Sequence, residues 1–283
     1  DKGPTATVES TPGGTAYTLL NMPDQEHVAI HIAWATDWGY REDTNKAAPH
    51  VGTRLLLGGG AEGYPAGDVG ERFADLDSQG NIYLSAQDHV IGELSFSQAN
   101  TDETIAIANA HLRAPALDQM WFDRIREEFA ANMAEAQAQP AHMGFDAVRR
   151  AVFDAQPLRV ALSLDEAGTV ESVTRDDVMA WHSETFTRGP EAVVVAGEID
   201  AKDAGAAIDA LLAGLPEATP NPSRETMPDY TARRILLHVP EAQTTTLSFI
   251  APLPPTQTGG EMEDLVLVQA LGGGEQSVLF DAV

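Results

Sequence analysis

Residues able to do metal or hydrolytic chemistry are few in this chain, and they rarely stand at useful spacings. There are eight histidines and no cysteines, so thiolate zinc sites, disulfides and cysteine nucleophiles are excluded together. His27 and His31 are four apart, as a zinc-binding pair on a helix would be. They fall in a stretch that reads as strand, where such residues lie about 13 Å apart, too far for one ion. They are read as exposed strand positions. His50 lies in the helical run Ala48-Pro49-His50-Val51-Gly52-Thr53-Arg54. It is either a metal ligand or, more simply beside Thr53 and Arg54, a capped or surface histidine. His89, His111, His142, His182 and His238 show no ligand spacing. Gly58-Gly59-Gly60 and Gly272-Gly273-Gly274 match neither phosphate-binding glycine motif. Ser85, Ser95 and Ser97 have no sequence-visible His and Asp partners, which argues against a serine hydrolase.

The elements that must position these residues follow from periodicity and punctuation. Thr15 to Met22 and His27 to Trp38 have strand character. Ala47 to Leu57 reads as a helix opened by Pro49 and closed by the Gly58–Gly60 run. Asp68 to Ser78 reads as a second helix, followed by a strand pair, Asn81 to Ala86 and Val90 to Gln98. Helices are expected over Asp102 to Arg113 with Thr101 as cap, Asp118 to Gln139, and Phe145 to Asp154. Thr174 to Thr187 opens like a capping box. Ala192 to Gly197 reads as a buried strand and Ala201 to Leu212 as a helix. Leu215 to Asp229 holds four prolines and is the best linker candidate. Beyond it, Arg234 to Val239 and Thr244 to Ala251 read as strands and Glu261 to Leu271 as a helix. Their order echoes the start of the chain. The expected division is therefore residues 1–222 as one α+β domain and 223–283 as the beginning of a second, related one.

The bulk properties narrow the partners. The 283 residues carry a formal net charge of −26, from 43 acidic and 17 basic side chains. Such a chain repels a phosphate backbone, so nucleic-acid binding is not expected. No apolar run reaches the ~20 residues needed to span a bilayer. The acidic balance is compatible with basic peptides as ligands. Glu127-Glu128 and Arg124 with Arg126 read as a solvated helix face.

Several segments, in order, resemble the M16 family of zinc metallopeptidases (pitrilysin, insulinase, mitochondrial processing peptidase). They are Asp37 to Glu42 followed by Ala48 to Arg54, then Glu71 to Ser85, Ser172 to Val178, Val193 to Asp200, Val239 to Thr245 and Leu271 to Phe280. In active members, the helix matching Ala48 to Arg54 carries His-x-x-Glu-His. Two histidines on one face bind zinc, and the Glu activates the bound water. Here the first position is His50, the base position is Thr53 and the second ligand position is Arg54. A threonine cannot take a proton from water at neutral pH, and a guanidinium has no lone pair for a metal. The resemblance places the third ligand, a Glu on a later helix, at Asn132, with Glu128 and Glu135 within about a turn.

The resemblance thus implies an α+β fold with a mixed or mostly antiparallel sheet covered by helices. It implies no bound metal, although active relatives use zinc. By the same resemblance, the chain would be the non-catalytic half of a peptidase pair. It would partner a zinc-bearing M16 subunit, or a second copy of itself, and help enclose a peptide, in the periplasm or outside the cell. The run Gly272-Gly273-Gly274 resembles the substrate-steering Gly-rich loop of non-catalytic subunits; a flexible helix terminus is the other reading. Two further readings stand beside this one. One is an active peptidase with an unorthodox site, using His50 with Glu128 or Glu135. The other is a structural subunit of a larger assembly.

Overall fold

In the computed structural model, residues 5–166, 168–218, 223–240, 242–243, 245–253, 261–274 and 277–278 are described. Six strands form one mixed sheet: β1 (Ala6–Ser10), β2 (Ala16–Asn21), β3 (His27–Ala35), β4 (Ser78–Ser85), β5 (His89–Ser97) and β6 (Ala192–Gly197). Their order is β1-β2-β6-β3-β5-β4. Every pairing is antiparallel except β2 with β6. The late strand β6 is thus inserted between β2 and β3, next to a strand some 175 residues earlier in the chain.

Alternation decides which face is covered. Val28, Ile30, Ile32 and Trp34 of β3 are buried, while His27 and His31 point to the other, exposed side, as expected. Val90, Leu94 and Phe96 of β5 and Val193 and Val195 of β6 continue the buried face. Helices α1 (Ala48–Gly58), α3 (Thr101–Arg113) and α8 (Ala201–Leu212) bring apolar stripes to the same core. Helices α4 (Gln119–Gln137) and α7 (Arg175–Thr185) pack in turn against α1. Short α2 (Val69–Asp75) lies on β4, and α5 (Pro140–Phe153) pairs with α6 (Pro157–Ser163) around Val152, Phe153 and Leu158. A last helix, α9, spans Glu261–Gly272.

The architecture is α+β with a mixed sheet and helical cover, as the sequence implied. Four local expectations differ. The helix expected to begin at Phe145 starts at Pro140, because the proline is the first helical residue and needs no amide partner there. Thr101 does not cap α3; Asn100 holds the cap position, and the Thr101 hydroxyl bonds back to Gln98. Strand β1 and helix α6 carry no strong periodic signal and are supplied by tertiary pairing. The described parts of Arg234 to Val239 and of Thr244 to Ala251 form no ladder; Thr244 itself lies outside the described residues. A strand is made by its partner, and among the described residues neither segment has one.

Candidate functional site

The helix α1 that carries the motif is fixed on three sides. Pro49 sits in its first turn, and the amide of Gly59 closes its end on the Leu55 carbonyl at 2.7 Å. Gly60 then turns the chain away at φ +77°, where a Cβ would fall 2.8 Å from the Ala66 nitrogen and the Tyr64 carbonyl oxygen. Val51, Leu55 and Leu56 bury one face of α1 in the main core. Gly52 lets α7 come close: a Cβ there would lie 2.3 Å from Cζ3 of Trp181. The opposite flank of α1 presents His50, Thr53 and Arg54 towards α4.

What meets them there is an aromatic ring. Phe129, a buried residue of α4, stacks on the His50 imidazole with centroids 5.5 Å apart and planes 15° from parallel. The Arg54 guanidinium lies over the same Phe129 ring at 5.0 Å. A cation over an aromatic face is a favourable contact in itself. Thr53 is buried, and its hydroxyl turns back to the His50 carbonyl at 3.4 Å. Asn132, one turn further along α4, is exposed, as are Glu128 and Glu135. The structure therefore brings together His50, Thr53, Arg54 and Phe129, and leaves Asn132 outside the group.

His50 is not the surface histidine that the sequence suggested. The residue as a whole is partly covered, but its Nε2 is sealed from water and has no hydrogen-bond partner. Burial, reinforced by the charge of Arg54, pushes its pKa down to about 4. The ring is therefore neutral in the fold at any pH above that. The unfolded chain takes up a proton at about 6.5, so stability is lost as pH falls from there towards 4, by up to about 3 kcal/mol. We expect His50→Phe, which keeps the stack, to abolish this component. In urea unfolding at pH 7 and 4.5, the wild type should lose about 2–3 kcal/mol more than the variant. Equal losses would show that the ring is protonated in the folded protein. His111 and His182 are lowered in the same sense by burial, and both chains retain them.

These residues do not fit zinc. One imidazole remains, its ring face is covered by Phe129, and a fixed positive charge stands where a second ligand would be. Among the described residues no three His, Asp or Glu side chains converge on a point that could hold a metal. Phe129 was missed in the sequence, although Phe122, Ile125 and Phe129 form the buried stripe of α4 at helical spacing. That stripe marks the face turned towards α1.

At the far end, Gly272 closes α9, and the Gly273 amide bonds back to Gln269 at 2.8 Å. Gly274 has φ +133°, and Glu275 and Gln276 lie outside the described residues.

Comparison with known proteins agrees with this picture. Residues 172–283 match the family described as the peptidase M16 inactive domain. No curated protein sequence matches significantly. A solved peptidase M16 inactive domain from Pseudomonas fluorescens superposes with a TM-score of 0.69 at 16% identity, over 80% of this chain and 54% of the other. A protease from Helicobacter pylori gives 0.65 at 13% identity, over 81% of this chain and 55% of the other. The periplasmic protease PqqL from Escherichia coli gives 0.64 at 18% identity, over 78% of this chain and 25% of the other. The chain thus spans about half the length of two of these structures and a quarter of the third. From residue 172 onward the sequence matches the M16 inactive-domain family, and the sheet-and-helix unit has the fold of M16 peptidase domains.

Proposed function

We propose that this chain is a non-catalytic M16 subunit, which pairs with a zinc-bearing M16 peptidase and helps to enclose its peptide substrate. The observation that carries this reading is the Phe129 ring in contact with both His50 and Arg54, in the place where an active member needs ligands and a base. A scaffold that fills its metal site with an aromatic stack has no means there of activating water, so peptide hydrolysis falls to the partner.

Beyond residue 230 many apolar side chains are open to solvent. Leu236 is 93% exposed and Leu247 80%, and Phe249, Met262, Leu265 and Val266 are largely exposed too. Apolar side chains open to solvent are what the first elements of a domain present before the rest of its core covers them. In this reading residues 1–222 form the first domain and 223–283 open a second. Gly272 at the end of α9, with Gly273 and Gly274 after it, helps to steer substrate in this reading. The periplasm or the outside of the cell is the proposed location, in line with the periplasmic relative from Escherichia coli. The test is co-expression with a zinc-bearing M16 homologue of the same genome, followed by size exclusion and a peptide-cleavage assay. We expect a stable complex whose activity exceeds that of the zinc-bearing subunit alone. Cleavage by the isolated chain, abolished by His50→Ala, would overturn the proposal. A stable complex that cleaves nothing would point to a purely structural subunit.

A further inference from the structure

A second concave site lies on the helices that flank the motif. The first turns of α4 and α7 line an open pocket of about 430 Å³, within the size range of small-ligand sites. Phe122, buried, and Met179, half exposed, supply its apolar wall. Its polar character comes from two arginines. Arg126 lies over the Phe122 ring at 5.2 Å and pairs with Asp123 at 3.2 Å. Arg175 bonds through Nη1 to Gln119 Oε1 at 3.3 Å, while its Nε is buried with no partner.

Arg175 has no ion pair among the described residues, in a chain with 43 acidic side chains. A guanidinium offers five donors in a fork that matches a carboxylate, and a buried donor without an acceptor is costly. The acidic residues nearby are otherwise placed. Asp177 is engaged with Thr174 in the capping box of α7, and Asp123 holds Arg126. Asp176 lines the pocket but is exposed and bonds to neither arginine.

We propose that this pocket binds a carboxylate carried next to an apolar group. The carboxylate takes the free donors of Arg175 with Arg126 beside it, and the apolar group lies on Phe122 and Met179. That is the chemistry of a peptide's C-terminal end, or of an acidic side chain beside a hydrophobic one; the peptide as natural source rests on the function proposed above. Phe122 precedes Phe129 by seven residues on the same stripe of α4, which places the pocket about 10 Å from the His50 stack.

The test uses the whole chain and N-acetylleucine as probe, followed by NMR at the Arg175 Nε–H at physiological salt. A saturable shift is expected with N-acetylleucine and none with N-acetylleucinamide. Arg175→Gln should weaken binding about 10-fold or more, with the remaining amide spectrum unchanged, and Arg175→Lys should recover part of it. Two peptides then compete for the site: one acetylated with a free C-terminal leucine, one amidated with an internal Glu-Leu. Competition by the first assigns a terminal carboxylate and by the second a side chain; either supports the proposal. No shift with N-acetylleucine, or an equal shift with its amide, overturns it. If peptides bind equally well to wild type and Arg175→Gln, the pocket is overturned and the peptide-binding reading survives. If N-acetylleucine binds and neither peptide competes, the peptide source is overturned and the pocket remains.

Discussion

The purified chain should bind no zinc, whereas a variant carrying Thr53→Glu, Arg54→His and Phe129→Glu together should hold about one ion per chain. The argument is geometric. His50 and residue 54 share one face of α1, and Phe129 is the α4 side chain that reaches both. Replacing the ring by a carboxylate removes the stack, uncovers the imidazole, and supplies an oxygen donor between α1 and α4. Replacing Arg54 removes the opposing charge and adds a second nitrogen donor. Three protein ligands with one open position is the pattern of catalytic zinc. The control places the new carboxylate at Asn132, which is exposed on α4. Thr53→Glu/Arg54→His/Asn132→Glu should gain far less metal, because Phe129 still covers His50. Elemental analysis after dialysis against trace zinc gives the answer. About one zinc in the native chain would sink the non-catalytic reading. Gain by the Asn132 variant and not the Phe129 variant would show that α4 meets α1 one turn away from where it is placed here.

Trp181→Ala should cost about 3–5 kcal/mol in stability. Trp181 is fully buried and meets Phe186 edge-to-face at 5.5 Å, and its ring fills the space that Gly52 leaves on α1. Its indole Nε1 is buried without a hydrogen-bond partner, so packing and not polar bonding holds it. The contact with Gly52 gives a sharper test than the loss alone. Gly52→Ala in the wild type pushes a methyl into the ring and should cost about 1–3 kcal/mol. In Trp181→Ala the same change meets empty space, and alanine is the better helix former by about 1 kcal/mol, so there it should be neutral or stabilising. Urea unfolding of the four chains measures this coupling. A Gly52→Ala penalty that is the same in both backgrounds would mean that α1 and α7 do not meet through this pair.

Both experiments probe the same junction, where α4 and α7 are held against α1, and the sequence revealed only part of it. The motif helix was legible because Pro49 and the Gly58–Gly60 run bracket an apolar stretch, and α1 occupies Ala48–Gly58. The replacements at 53 and 54 needed no structure either: threonine and arginine lack the chemistry of a base and a ligand wherever they sit. The capping box at Thr174 and Asp177 was legible for the same local reason, since both partners lie within one turn. Strands β3, β5 and β6 announced themselves by β-branched content and by alternation.

Other features depend on contacts between distant residues. Nothing local says that β6 lies between β2 and β3, or that the weakly patterned Ala6–Ser10 becomes a sheet edge. The residue opposite His50 depends on how α4 is set, and a rotation of about 60° with a slide of about one turn exchanges Asn132 for Phe129. Only the buried stripe through Phe122, Ile125 and Phe129 fixes that rotation, because helix packing is set by the face that loses water. The state of His50 follows from this: a neutral ring stacked under Phe129 arises from burial, which neither its neighbours in sequence nor its spacing could report. The amino-acid sequence thus determined which chemistry Thr53 and Arg54 lack. The packing of α4 and α7 on α1 decided what meets His50 and Arg54, because side chains far apart in the chain share a site only once their helices have chosen a common face.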